Sequence, residues 1–421
     1  MNIRKIAYLA KDRLKNSAFR SNIADLTSQF NHRFPAQTSR VESITQYAIE
    51  NTPYYSSYND YDDFSEFPVL DKSTIKKNYD DFISEPYKSK LDNLHKVTTS
   101  GSYGTPFTFY LNPEKRQKMI SEVYYFGRKS NFDLGVKHAY IMSFTKSKFL
   151  QVIQNQVMIT VKEIEDKWCI ETLKRLQKEK VKVLIGYPSA IARLAIYASD
   201  NNLSLPMKGI ITISEVLNDD MRAHIKKGFN CSPISRYSTE EFGVLANQDI
   251  SGEFFWLNQC NYLIEILSLD SNQPVREDEL GRIVVTDLFN QSMPLIRYDT
   301  GDLAKPFEII NGRITKIESV EGRRLAVIRN TKAETISSFL INRSLRQFKN
   351  IIQFQFSQEG ISLYKVKLVI TDPVDEAEVI GIYQDILGSN AEIEIEYVDD
   401  IPPQRSGKRP YVLQNYEPYA N

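Results

Sequence analysis

Cysteine, histidine and tryptophan are scarce in this 421-residue chain, which has three Cys, four His and two Trp. Cys169, Cys231 and Cys260 are odd in number and far apart, so they form neither a disulfide framework nor a paired-thiolate metal spacing. A reducing, cytoplasmic setting is the expectation. His32, His95, His138 and His224 are equally scattered and make no H-E-x-x-H zinc helix. Net charge is missing too: 53 basic residues face 53 acidic ones. Nucleic-acid binders carry a basic excess, so no nucleic-acid partner is expected. No apolar run approaches a membrane span. The Walker pattern G-x-x-x-x-G-K-[ST] is absent, as is any internal repeat.

What is present is an ordinary apolar content of 42% and enough length for two or three domains. Residues 1–50 carry apolar positions at mixed three and four spacing and read as helical. Within residues 1–20, six basic side chains stand against Asp12 alone, too interrupted by polar residues for a signal peptide. That segment packs one face on the domain or, as a basic amphipathic helix, touches an anionic membrane peripherally. Asp71 or Ser73 opens a helix running to about Phe82. From Phe107 to Lys227, helical stretches alternate with short β-rich runs: strands at 107–111, 139–143, 181–185 and 209–213, helices at 113–129, 164–179, 188–201 and 219–227. Alternation of this kind predicts layered α/β structure with parallel pairing. Residues 254–269 and 281–286 predict a more antiparallel sheet. Past Gly322 the pattern changes to a compact α+β unit of about 100 residues: a helix over 336–345, strands at 351–356 and 363–370, a helix over 373–387 and a strand at 391–398. The predicted division is 1–321, a large domain, and 322–421, a small one.

Four stretches carry chemistry. Val97-Thr-Thr-Ser-Gly-Ser-Tyr-Gly-Thr-Pro106 holds five Ser or Thr hydroxyls, two Gly and no acid. Its glycines let successive N–H groups turn to one side, which suits a polyphosphate or a plain surface turn. Arg236-Tyr-Ser-Thr-Glu-Glu-Phe-Gly243 places hydroxyls before a carboxylate pair, or caps a helix at Ser238 or Thr239. Arg297-Tyr-Asp-Thr-Gly-Asp302 sets two acids around a Gly, as a binding corner or an Asp-rich turn. Pro402-Pro-Gln-Arg-Ser-Gly-Lys408 is a basic segment near the C-terminus.

In this order and at these intervals, the stretches resemble the adenylate-forming (ANL) superfamily. The residues are Thr99-Ser-Gly-Ser-Tyr-Gly-Thr-Pro106, Tyr237-Ser-Thr-Glu-Glu241, Tyr298-Asp-Thr-Gly-Asp302, Glu321-Gly-Arg323 and Ser406-Gly-Lys408. Within it the chain looks most like the phenylacetate–coenzyme A ligase-like branch, which includes members linked to capsular polysaccharide synthesis. Gly186-Tyr-Pro-Ser189 and Ile213-Ser-Glu-Val-Leu217 fall where that branch has its GYP and SE segments, and Asn51-Thr-Pro-Tyr-Tyr and Pro68-Val-Leu-Asp-Lys match its N-terminal part.

The resemblance implies a large α/β domain followed by a small mobile lid domain. It also implies a two-step ligase: a carboxylate attacks the α-phosphorus of ATP to give acyl-AMP and pyrophosphate, and a thiol (often coenzyme A), amine or hydroxyl then takes the acyl group. Thr99, Ser100, Gly101, Ser102, Gly104 and Thr105 would cradle phosphate. Tyr237 would lie on adenine beside Ser238, Thr239 and Glu240, and Glu241 would hold Mg²⁺. Asp302 would grip the ribose with Arg323 assisting. Tyr187, Pro188 and Glu215 would border the acid, and Lys408 would offset charge on the transferring group. Three departures bear on these roles. Registering on Phe242-Gly243 makes Glu241 the metal carboxylate and puts Glu240 where Thr or Ser meets the α-phosphate, whereas a one-residue slip pairs Thr239 with Glu240. Tyr103 replaces a Thr, and Leu325 stands where an Asp hinge is common, so full rotation of the lid is open. The alternative reading is a non-catalytic nucleotide-binding scaffold that keeps the fold.

Overall fold

The computed structural model describes residues 3–14, 18–32, 34, 36–59, 61, 63–99, 107–161, 165–321, 328–336, 341, 344–345, 348, 350–402 and 412–416. Three helices open the chain: α1 (Ile3–Leu14), α2 (Ala18–Asn31) and α3 (Gln37–Asn51). Asp12 is buried at the first corner, where its carboxylate accepts from the N–H groups of Phe19 (2.9 Å) and Arg20 (3.2 Å). A carboxylate at the N-terminus of α2 meets that helix's positive end. Lys5 pairs with Asp133, so α1 is anchored on the domain, yet Ile3 and Leu14 stay exposed.

Asp71 is the cap of α4 (Lys72–Lys77), accepting from the Thr74 N–H at 2.7 Å. The helix expected to reach Phe82 ends early, at Asn78, and continues only as a 3-10 turn over Tyr79–Phe82. After the single turn α5 (Glu85–Lys88), β1 (His95–Thr99) and β2 (Phe107–Leu111) form an antiparallel hairpin in which Thr99 pairs with Phe107.

Asn112 then caps α6 (Pro113–Gly127), with Pro at the first helical position, where a missing N–H costs nothing. The succession that follows is β3 (His138–Met142), α7 (Lys148–Gln154), β4 (Gln156–Thr160), α8 (Asp166–Lys178), β5 (Val183–Gly186), α9 (Pro188–Asp200), β6 (Gly209–Thr212), α10 (Asp219–Phe229) and β7 (Pro233–Thr239). Strands β4, β3, β5, β6 and β7 lie side by side and all pair in parallel. β5 and β6 are buried at every position, with Val183, Leu184, Ile185, Ile210 and Ile211 at both parities, the pattern of strands covered on two faces. The α7–β4 pair was not anticipated, because residues 148–160 show neither period cleanly. Asn155, in the left-handed conformation at φ 54°, is what separates helix from strand.

The chain continues through β8 (Gly243–Gln248), β9 (Phe255–Leu257), β10 (Tyr262–Leu267), β11 (Gly281–Asp287), β12 (Tyr298–Ile310) and β13 (Arg313–Glu321). The antiparallel pairing expected here is present, between β10 and β11, β8 and β9, and β9 and β13. All of these strands join one eleven-stranded sheet in the order β10-β11-β12-β13-β9-β8-β7-β6-β5-β3-β4. β7 is the switch, parallel to β6 on one side and antiparallel to β8 on the other.

By contacts the chain divides into two compact units, Met1–Thr300 with Ala304–Ser319, and Gly301–Leu303 with Val320–Asn421. In the second unit β14 (Ile328–Arg329) pairs with β15 (Thr335–Ile336). A mixed four-stranded sheet is built from β16 (Ile351–Gln358), β17 (Leu363–Ile370), β18 (Glu392–Tyr397) and β19 (Val412–Gln414), in the order β18-β17-β16-β19. α11 (Glu376–Leu387) contributes Val379, Tyr383 and Leu387 to the core with Phe356, Tyr364 and Val366. The helix expected over 336–345 lies largely outside the described residues.

His138 is buried, its Nδ1 2.8 Å from the Val136 carbonyl. Desolvation takes its pKa from 6.5 down to about 4. Between those values the unfolded chain binds the extra proton, so stability rises with pH across this window and falls as pH drops. The loss between pH 6.5 and 4 is on the order of 3 kcal/mol. His138→Gln removes that component, and urea titrations of both proteins at several pH values check it: equal pH slopes would refute the assignment.

Candidate functional site

The Tyr237–Gly243 stretch is not a helix cap. It is a strand, a tight turn and a strand, with Thr239 paired to Gly243 and Glu240-Glu241-Phe242 forming the turn between β7 and β8. A register shift between Tyr237 and Ser238 marks a bulge, a device that re-aims side chains at a strand end. The Thr239 hydroxyl accepts from the Phe242 N–H at 3.2 Å and so closes the turn from within. Glu240 is exposed and Glu241 half-buried.

Gly243 explains why the turn takes this shape. Its φ of 107° is closed to L side chains, and a Cβ there would stand 2.6 Å from Glu122 Oε2 and 2.9 Å from Met119 Cγ. Glu122 is fully buried on α6. Its carboxylate accepts from the Val244 N–H (3.0 Å), Asn261 Nδ2 (2.7 Å) and Tyr262 OH (3.0 Å). Tyr262 also donates to the Phe242 carbonyl, the last residue of the turn. Lys115, two turns earlier on the same face of α6, reaches Tyr262 OH at 2.8 Å and Asp287 at 2.7 Å. Burial raises the Glu122 pKa, while the Lys115 charge and these hydrogen bonds pull it back. A buried polar network therefore holds the glutamate turn in place from below.

The sequence reading missed this network, although a signal existed. Lys115, Met119, Glu122 and Phe126 follow helical spacing, so two charges sit in an otherwise apolar stripe. It also missed two cations close to Glu240. Burial lowers the pKa values of Arg116 and Lys146, and the Glu240 charge raises each of them. Glu240 and these two cations therefore attract one another.

The second motif meets the third. Tyr237 OH donates to Thr300 Oγ1 at 3.4 Å, and Thr300 Oγ1 donates to the Ile283 carbonyl at 3.0 Å. Gly301 follows with φ 76° and Asp302 is next on β12, so the motif is part of a strand rather than a free turn. Asp299 is held by Arg282 at 2.9 Å. Arg297 is a structural anchor. Its buried guanidinium bonds both oxygens of Glu265 at 3.2 Å and the carbonyls of Ser65 (2.6 Å) and Phe67 (2.9 Å).

At the ends of β5 and β6, Tyr187 OH lies 3.0 Å from Ser143 Oγ, and Pro188 starts α9. Glu215 accepts from the Ser189 N–H (3.3 Å) and Oγ (2.7 Å), capping the first turn of α9. Thr99 ends β1, and the phosphate-type residues Ser100, Gly101, Ser102, Gly104 and Thr105 lie outside the described residues, as do Arg323 and Lys408. No cluster of three His, Cys, Asp or Glu suited to a metal occurs among the described residues. A lone Glu241 still fits Mg²⁺, which takes one or two carboxylates and completes its octahedron with phosphate oxygens and water. No described helix is long and apolar enough to cross a membrane.

This architecture is that of adenylate-forming enzymes. The second-unit residues 328–415 match the CapK C-terminal domain family. The chain is 26% identical to Protein CapK of Staphylococcus aureus, over 91% of this chain and 90% of that protein. It is 21% identical to phenylacetate-coenzyme A ligase of Thermus thermophilus, over 63% of this chain and 64% of the relative. Among solved structures, a 2-hydroxyisobutyryl-CoA ligase in the postadenylation state, in complex with R3-HIB-AMP, superposes with a TM-score of 0.69. The identity is 16%, over 91% of this chain and 90% of that one. The resemblance read from the motifs therefore holds along nearly the whole chain, and it points to CapK and to acyl-coenzyme A ligases together.

Proposed function

We propose that the protein adenylates a small carboxylic acid with ATP and Mg²⁺, releasing pyrophosphate, and passes the acyl group to coenzyme A or to an amine or hydroxyl acceptor. The observation that carries this reading is the convergence of Tyr237, the Glu240-Glu241 turn and Thr300 at the junction of β7, β8 and β12, with Asp302 two residues beyond Thr300. Tyr237 offers a ring for the base, Asp302 and Arg323 accept and donate around the ribose, and Arg116 and Lys146 add positive charge toward the phosphates. Mg²⁺ held by Glu241 supplies charge neutralisation at the phosphate oxygens. Tyr187, Pro188 and Glu215 border the acid. A role in capsular or other cell-surface polysaccharide synthesis is suggested by likeness to CapK.

The experiment is ATP–[³²P]pyrophosphate exchange with pooled carboxylic acids. Exchange is expected to require both an acid and Mg²⁺, and Asp302→Ala raises the KM for ATP at least about tenfold, as loss of a charged hydrogen-bond acceptor costs about 1.5–3 kcal/mol. ATP binding without exchange for any acid would select the non-catalytic scaffold instead.

A further inference from the structure

Arg236 stands outside every contact described above. It is 7% exposed, in β7 beside Tyr237, and its Nε and Nη1 have no hydrogen-bond partner. No ion pair to it occurs among the described residues. A guanidinium cannot shed its charge, so an enclosed one without an acceptor is a costly arrangement that an incoming anion relieves.

Its place in the sheet says which ligand is near. Gly186, Thr212 and Ser235 pair across β5, β6 and β7. One step further, Tyr187 N–H donates to the Ile141 carbonyl and Ile213 N–H to the Gly186 carbonyl. The next row across the strand ends is thus Tyr187, Ile213 and Arg236, all buried, with Glu215 two residues past Ile213. This is the carboxyl end of the parallel strands, where open α/β sheets bind their ligands. Tyr237, on the opposite face of β7 from Arg236, is committed to Thr300 and the nucleotide side. The Glu215 carboxylate accepts from Ser189 Oγ at 2.7 Å.

We infer that Arg236 binds a second anionic group on the acid, so that the substrate is a dicarboxylic acid of which one carboxylate is adenylated and the other rests on Arg236. This rests on the adenylation reading but extends it to a substrate class. An Arg at this spot would reject an acid with only an apolar tail, because binding would bury the guanidinium still unpaired.

The test compares malonate, succinate and glutarate with acetate, propionate and butyrate in pyrophosphate exchange, using the wild type, Arg236→Met and Arg236→Lys. The wild type favours the best dicarboxylate by at least about tenfold in kcat/KM, Arg236→Met loses about 100-fold on dicarboxylates and keeps monocarboxylates within about threefold, and Arg236→Lys falls between. An unchanged dicarboxylate-to-monocarboxylate ratio in Arg236→Met would overturn the inference. A second readout needs no catalysis: dicarboxylates alone raise the melting temperature of the wild type but not of Arg236→Met. Exchange without that stabilisation also counts against Arg236, whereas stabilisation without exchange by any acid keeps the anion site and discards adenylation.

Discussion

Lys408→Ala is expected to lower the rate of acyl-adenylate formation by about 10²–10³-fold, the cost of removing one preorganised donor from developing charge. ATP affinity stays within about threefold, because in the proposed role the lysine would act on the transferring phosphoryl group more than on bound nucleotide. The residue enters through Ser406-Gly-Lys408, which lies outside the described residues. The described residues on either side of 403–411 both meet the small sheet. Ile401 is buried and its N–H donates to Gln353 Oε1 at 3.1 Å. Val412 is buried too and pairs with Phe356 in parallel register. Gln353 and Phe356 both belong to β16. Single-turnover formation of acyl-AMP, read beside calorimetric ATP binding, checks the prediction. Undiminished turnover in the variant would remove Lys408 from the chemistry.

Gly243→Ala is expected to destabilise the protein by about 3–5 kcal/mol, combining a backbone conformation closed to alanine with overpacking in a filled interior. The nearest obstacle, Glu122 Oε2 at 2.6 Å, is a side-chain atom that would normally swing aside. Here three donors hold that carboxylate: Val244 N–H, Asn261 Nδ2 and Tyr262 OH. Any movement also disturbs the hydrogen bond from Tyr262 to Phe242. The melting temperature falls by roughly 5–10 °C, and pyrophosphate exchange falls further than stability alone explains, because the Glu240-Glu241 turn loses its support. Thermal unfolding and exchange measured on one preparation separate the two effects. A shift below 2 °C (about 1 kcal/mol or less) would show that Glu122 yields freely and that the network is not rigid.

Both predictions reach residues that the sequence revealed unequally. Lys408 is an expectation that a short motif carries at a fixed interval from the others, and it lies outside the described residues. Glu122 was not legible, because a carboxylate in a helix reads as surface until its partners, about 120 to 140 positions away, are known. Arg236 stands in a motif whose neighbours carry the recognisable chemistry. Nothing local distinguishes a guanidinium with acceptors from one without them. Glu215 was expected to border the acid, and its geometry displays a cap on the first turn of α9.

By itself the sequence determined the alternation of helix and strand from residue 107 onward, the change of texture past Gly322 and the order of the motifs, since periodicity, caps and glycines act over a few residues. It also separated α6 from β2 through Asn112 and Pro113. Only the tertiary structure decided that β7 joins parallel and antiparallel strands in one eleven-stranded sheet. Only there did the Glu240-Glu241 turn acquire a buried polar floor, and only there did Arg236 emerge as an enclosed cation without an acceptor. Pairing partners, burial and the hydrogen bonds that offset it are long-range quantities, fixed when distant segments pack and not written in any short stretch of chain.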